Sequence, residues 1–89
     1  MAQRTVELVN RLGLHARAAA KLVHVASRFS AHVTISHNDE EVNGKSILGL
    51  LLLAAPCGSS VVVKAAGRDE AEALDAIESL IKERFGEDE

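Results

Sequence analysis

Gly13-Leu14-His15-Ala16-Arg17 sets a histidine on a glycine turn immediately before a helical stretch, with an arginine in what would be the first turn of that helix. A helix start carries unpaired backbone N–H groups and the positive end of the helix dipole, so it attracts anions. A neutral imidazole is a nucleophile, and a nucleophile placed there is suited to carrying a phosphoryl group. The added oxygens would lie beside the N–H groups of Ala16, Arg17 and Ala18, and Arg17 would offer a charge-assisted, forked contact. Each such contact is worth about 0.3–2 kcal/mol, enough to hold the group without trapping it. Taken alone, the same residues also suit a plain N-cap or a surface histidine.

Ser46 falls where the N-cap of a second, short and apolar helix belongs, and capping alone is reason enough for a serine there. Ile47, Leu48 and Leu51 flank that helix start, and so short an element cannot bury them all. With Ala20, Lys21 and His24 of the first helix they are expected to form one mixed docking face, while Leu50 and Leu53 are expected in the core. His24, His32 and His37 lack the spacing of a closed metal site, and Cys57 has no second cysteine beside it. No metal and no cofactor are expected. Gly13-Leu14-His15 also lacks the glycines of a nucleotide loop, which argues against ATP binding.

At 89 residues the chain is read as one domain spanning 1–89. Phe29 and Phe85 are its only aromatic residues, so the core is expected to be aliphatic. The apolar run from Ile47 to Pro56 is interrupted by Gly49 and too short to span a bilayer, and no signal-peptide pattern opens the chain. With one cysteine, this fits a reducing cytoplasm and no membrane insertion. The net charge of −3 divides unevenly: residues 1–38 carry a balance of +4 and residues 39–89 a balance of −7. A basic face for an acidic protein partner is the natural use. General nucleic-acid binding is disfavoured by the overall acidity and by strands without stacking aromatics.

Around these residues the pattern gives the elements. Thr5-Val6-Glu7-Leu8 alternates as a strand with Val6 and Leu8 inward. Ala16 to about Ser30 is helical, burying Ala19, Leu22, Val23, Ala26 and Phe29 and exposing Arg17, Lys21, His24 and Arg28. His32 to Ser36 is a second strand, residues 37–40 a polar turn, and Glu41 to Asn43 a short third strand. Ile47 to about Leu53 is the second helix and Ser60 to Ala66 the fourth strand. Asp69 with Glu72 resembles a capping pair opening a last helix, whose stripe is Ala73, Leu74, Ile77, Leu80 and Ile81. Gly86 is expected to stop it, and residues 87–89 to fray. The order β-α-β-β-α-β-α predicts an α+β fold, a four-stranded antiparallel sheet covered on one face by three helices.

Gly13-Leu14-His15-Ala16-Arg17-Ala18-Ala19 resembles the active-site motif of the HPr family, the histidine phosphocarriers of the bacterial phosphotransferase system. Asn43-Gly44-Lys45-Ser46-Ile47-Leu48-Gly49-Leu50 resembles that family's regulatory-serine segment, and Gly67-Arg68-Asp69-Glu70 its last third. The resemblance implies an open-faced β-sandwich, phosphorylation of His15 on ring Nδ1, and Arg17 as the residue that helps hold and transfer the group. It implies enzyme I, charged by phosphoenolpyruvate, as donor and EIIA-type domains as acceptors, in sugar transport or nitrogen-related regulation. It also implies a carrier, not a turnover catalyst. For Ser46 it implies a serine kinase in some bacteria, with a matching phosphorylase and transcription regulators as further partners. A monomer is expected. The family's usual proline is here Ala18, which keeps an N–H that proline would lack, so the site chemistry is expected to survive; alanine leans toward the nitrogen-related branch. The alternative is a regulatory binding module whose phosphorylation state partner proteins read.

Overall fold

The computed structural model describes residues 1–88. In chain order they form β1 (Ala2–Glu7), α1 (Ala16–Ala26), β2 (His32–His37), β3 (Glu40–Asn43), α2 (Ile47–Leu53), β4 (Ser60–Ala66) and α3 (Glu70–Lys82), followed by a short turn, Arg84–Gly86. The strands make one antiparallel sheet in the order β1-β4-β2-β3. The three consecutive valines Val61, Val62 and Val63 lie in β4, an inner strand of the sheet, where Val63 pairs with Arg4 on one side and Ile35 on the other. Alternation does the sorting: Val61, Val63 and Ala65 are buried while the residues between them are not.

The helices gather on the face those residues line. α3 lies against β1 and β4, α2 against β3, and α1 packs on both α2 and α3. The result is the open-faced α+β sandwich expected from the element order. Leu22 and Ala19 of α1, Leu50 and Leu53 of α2, and Leu74, Ile77 and Ile81 of α3 meet Val6, Val33 and Ile35 in one core. Among the described residues no helix is long and apolar enough to cross a membrane.

Several local boundaries differ from the pattern. β1 begins at Ala2 and not Thr5, because Ala2 and Gln3 continue the ladder opposite Ala65 and Lys64. Leu8 lies past the strand, yet stays buried and exchanges backbone bonds with Ser59 and Gly58. α1 ends at Ala26, short of Ser30, where Arg28 and Phe29 donate to carbonyls three residues back and tighten the chain into a turn. The β2–β3 turn needs only Asn38 and Asp39, both with positive φ, which these two residue types tolerate.

The Asp69–Glu72 capping pair does not form. Asp69 is the N-cap of α3 without a side-chain bond to its own helix, and its carboxylate accepts instead from the backbone N–H groups of Ser30 and Ala31 at 2.9 and 2.8 Å. Glu70, not Glu72, reaches back to the Gly67 N–H at 3.1 Å. The core is aliphatic except for Phe85, which is fully buried. Arg84, Phe85 and Gly86 all adopt positive φ and fold the chain back on itself. A left-handed conformation costs about 1–2 kcal/mol per non-glycine residue, and burying a phenylalanine side chain offsets it with about 1.5–3 kcal/mol.

Candidate functional site

The loop before α1 is held from three sides. The fully buried Asn10 donates its side-chain amide to the Gly13 carbonyl at 2.7 Å, and the Leu14 N–H donates to Ala55 O at 2.9 Å. Gly13 has φ +64°, and a Cβ there would stand 2.5 Å from the Ala55 carbonyl oxygen, so the turn admits only glycine. Leu14 is buried and anchors the loop to the core.

His15 is the N-cap of α1. Its backbone is extended (φ −83°, ψ 179°) and its carbonyl accepts the Ala19 N–H at 2.8 Å. Its side chain makes no capping bond, so the N–H groups of Ala16, Arg17 and Ala18 keep no partner from that ring. Ala16 and Arg17 are exposed, while Ala18, the third helical residue, is buried and retains its amide. Arg11, Leu12, His15, Ala16, Arg17, Glu87 and Asp88 line one open depression. The structure therefore brings together His15, Arg17 and the helix-start amides that the sequence singled out.

The ring is not free-standing. The His15 side chain is 26% exposed, and its Nε2 is hydrogen-bonded to the carboxylate of Glu87. A carboxylate only accepts, so Nε2 carries a proton, and in the neutral ring the lone pair is then on Nδ1. His15 itself lines the open depression. Glu87 is held on its other oxygen by the Asn10 side-chain amide at 3.1 Å. Burial works to raise the Glu87 carboxyl, but the hydrogen bonds from His15 and Asn10, with the charges of His15 and Lys21, outweigh it and keep it below the ordinary value.

Glu87 corrects one expectation: residues 87–89 were expected to fray, whereas Glu87 is half-buried and bound at the site. Residue 89 lies outside the described residues. Neither Glu87 nor Asn10 was legible as a site residue, because their approach depends on the left-handed turn at residues 84–86, for which only Gly86 offers a local signal.

Lys21 is half-buried, and its Nζ donates to the Phe85 carbonyl at 2.5 Å, so it braces the turn before Glu87. Ala20 and His24 are exposed, as are Ile47, Leu48 and Leu51. Leu52, which the sequence did not single out, is exposed to the same extent as Leu48, 68%. Leu50 and Leu53 are in the core. Ser46 caps α2, its Oγ accepting the Gly49 N–H at 3.1 Å. No group of three or more His, Cys, Asp and Glu able to hold a metal occurs among the described residues.

Fold and site together define a small α+β protein with a histidine at the start of α1 lining an open depression. The family described as PTS HPr component phosphorylation site matches residues 2–83. The phosphocarrier protein HPr of Cupriavidus necator is 49% identical over 89 residues, covering all of both chains, and that of Neisseria meningitidis is 47% identical over the same span. The crystal structure of HPr-C-His from Thermoanaerobacter tengcongensis superimposes with a TM-score of 0.96 at 42% identity, covering 100% of each chain. The chain belongs to the HPr family, the phosphocarriers of the phosphotransferase system.

Proposed function

We propose that this chain takes a phosphoryl group from phosphoenolpyruvate-charged enzyme I on His15 and passes it to EIIA-type proteins, serving sugar transport or nitrogen-related regulation in the cytoplasm. The observation that carries this is the position of His15: it heads α1 and lines an open depression with Arg17, with the amides of Ala16, Arg17 and Ala18, which its ring does not cap, on the same helix start. In the transfer the Nδ1 lone pair forms the new N–P bond while the donor's N–P bond breaks and its electron pair returns to the donor ring. The incoming oxygens meet the helix-start N–H groups, and Arg17 supplies the charge. Onward transfer reverses this, so the chain acts as a carrier and does not turn over a substrate.

Docking on this reading uses Lys21 with the exposed Ala20, His24, Ile47, Leu48 and Leu51, a face that mixes apolar and basic side chains. Ser46 is the regulatory position, open to a serine kinase; a phosphate there sits at a helix start and need not unfold α2. The protein works as a monomer of residues 1–89. The test is reconstitution: with enzyme I, labelled phosphoenolpyruvate and an EIIA domain, label reaches the EIIA domain only when this chain is present. Equal transfer without it, or arrest of label on enzyme I with it, overturns the assignment.

A further inference from the structure

Glu87 is brought to the imidazole by a costly piece of backbone. Three successive residues, Arg84, Phe85 and Gly86, have φ of 57°, 54° and 78°. Two separate anchors hold that turn: the Phe85 ring is buried in the core and the Phe85 carbonyl accepts from Lys21. The Glu87 N–H then closes on Arg84 O at 2.9 Å, which directs the side chain between Asn10 and His15. Strained backbone held from both sides is characteristic of positions that aim a functional group.

We infer that Glu87 is a positioning residue for phosphoryl transfer: it holds the proton on Nε2 of His15 through the whole cycle, so that Nδ1 alone presents a lone pair to the donor and leaves the phosphoryl group as a neutral imidazole. This rests on the reading of His15 as the acceptor. The balance is simple. Attack by Nδ1 gives a phosphoimidazolium whose positive ring keeps its Nε2–H against the Glu87 carboxylate. When the N–P bond breaks toward the next acceptor, the pair returns to Nδ1 and no proton has moved. Without the carboxylate, the charged ring would shed the Nε2 proton to water. The leaving group would then be an imidazolide, much poorer than imidazole. Asn10 fixes the carboxylate in place. Arg11 and Arg17 line the same depression, Lys21 bears on the same carboxylate and Asp88 completes the rim, so Glu87 is the acidic side chain bonded to the ring within a mixed-charge setting.

The experiment compares the parent with Glu87→Ala and Glu87→Gln, labelled with 15N at histidine. In the unphosphorylated protein at pH 7.5, the parent spectrum is expected to give His15 as a single Nε2–H form with its proton slowed in exchange. Glu87→Ala is expected to give a mixed tautomer with fast exchange, and Glu87→Gln, which keeps an acceptor oxygen but not the charge, to fall between. Transfer from the phosphorylated chain to an EIIA domain is expected to slow about tenfold in Glu87→Ala, with the concentration for half-maximal rate unchanged because docking is elsewhere. Identical His15 spectra and transfer rates within twofold overturn the inference while leaving the carrier reading intact. A parent that accepts no phosphoryl group on His15 overturns both.

Discussion

The ammonium of Lys21, in the second turn of α1, donates to the carbonyl of Phe85, so a basic residue on the helix that begins at His15 also fastens the chain segment that returns to His15. The helix thus orders both edges of the site. Its N-terminus supplies the amides and Arg17, and its side chain one turn on holds the left-handed turn that carries Glu87.

Replacing Lys21 by methionine keeps the aliphatic stem and removes the donor. A partly buried charge-assisted hydrogen bond is worth about 1.5–3 kcal/mol, so Lys21→Met is expected to lower stability by about 1–2 kcal/mol. It should also speed amide exchange at Glu87, whose N–H closes the turn on Arg84 O. Chemical denaturation and hydrogen exchange read the two effects. Unchanged exchange at Glu87 would mean that Phe85 burial alone holds the turn.

Acid sensitivity should trace to the Asp69 tie between the α1–β2 connection and the start of α3. The Ser30 N–H, with the Ala31 N–H, holds the Asp69 carboxyl below its ordinary value despite the opposing effect of burial. Glu78 is likewise lowered, by Lys82 and then Arg4. A carboxyl depressed in the folded state adds stability above its unfolded value, near 4, and loses it as pH falls through the folded value. The urea midpoint should therefore be flat near neutrality and fall below about pH 4. Asp69→Ala should lower the midpoint at pH 7 and shrink its fall on acidification, so that the two curves converge at low pH. Parallel curves would place the acid response elsewhere.

Ser46 separates capping from charge. Ser46→Ala loses the bond to the Gly49 N–H and should cost about 1 kcal/mol. Ser46→Asp retains a capping oxygen and should keep nearly parental stability, while its negative charge beside the proposed docking face should weaken binding to enzyme I. Calorimetric titration against enzyme I checks this, and parental affinity in Ser46→Asp would contradict it.

Much of this protein is legible in its sequence because its signals are local. The run of β-branched residues Val61-Val62-Val63 and the three- and four-residue spacing of Leu74, Ile77 and Ile81 are local signals, so strands, helices and fold class follow. His15 and Ser46 are caps, readable from their immediate neighbours. What was hidden depends on distant partners. Asp69 favours Ser30 and Ala31 over its own helix, thirty-eight or thirty-nine residues away in sequence. The Glu87 contact with His15 spans 72 residues and relies on positive φ at Arg84 and Phe85, which neither residue type announces. The bond from Lys21 to the Phe85 carbonyl spans 64 residues and is equally hidden in the local pattern.

The direct test of the central claim is phosphorylation of the purified chain by enzyme I and phosphoenolpyruvate, followed by 31P NMR and intact-mass measurement on the parent and His15→Ala. The account predicts one phosphoryl group per parent chain, acid-labile, with the resonance of an Nδ1-phosphohistidine, and none on His15→Ala. Label that persists in His15→Ala, or a parent chain that takes up none, would contradict it.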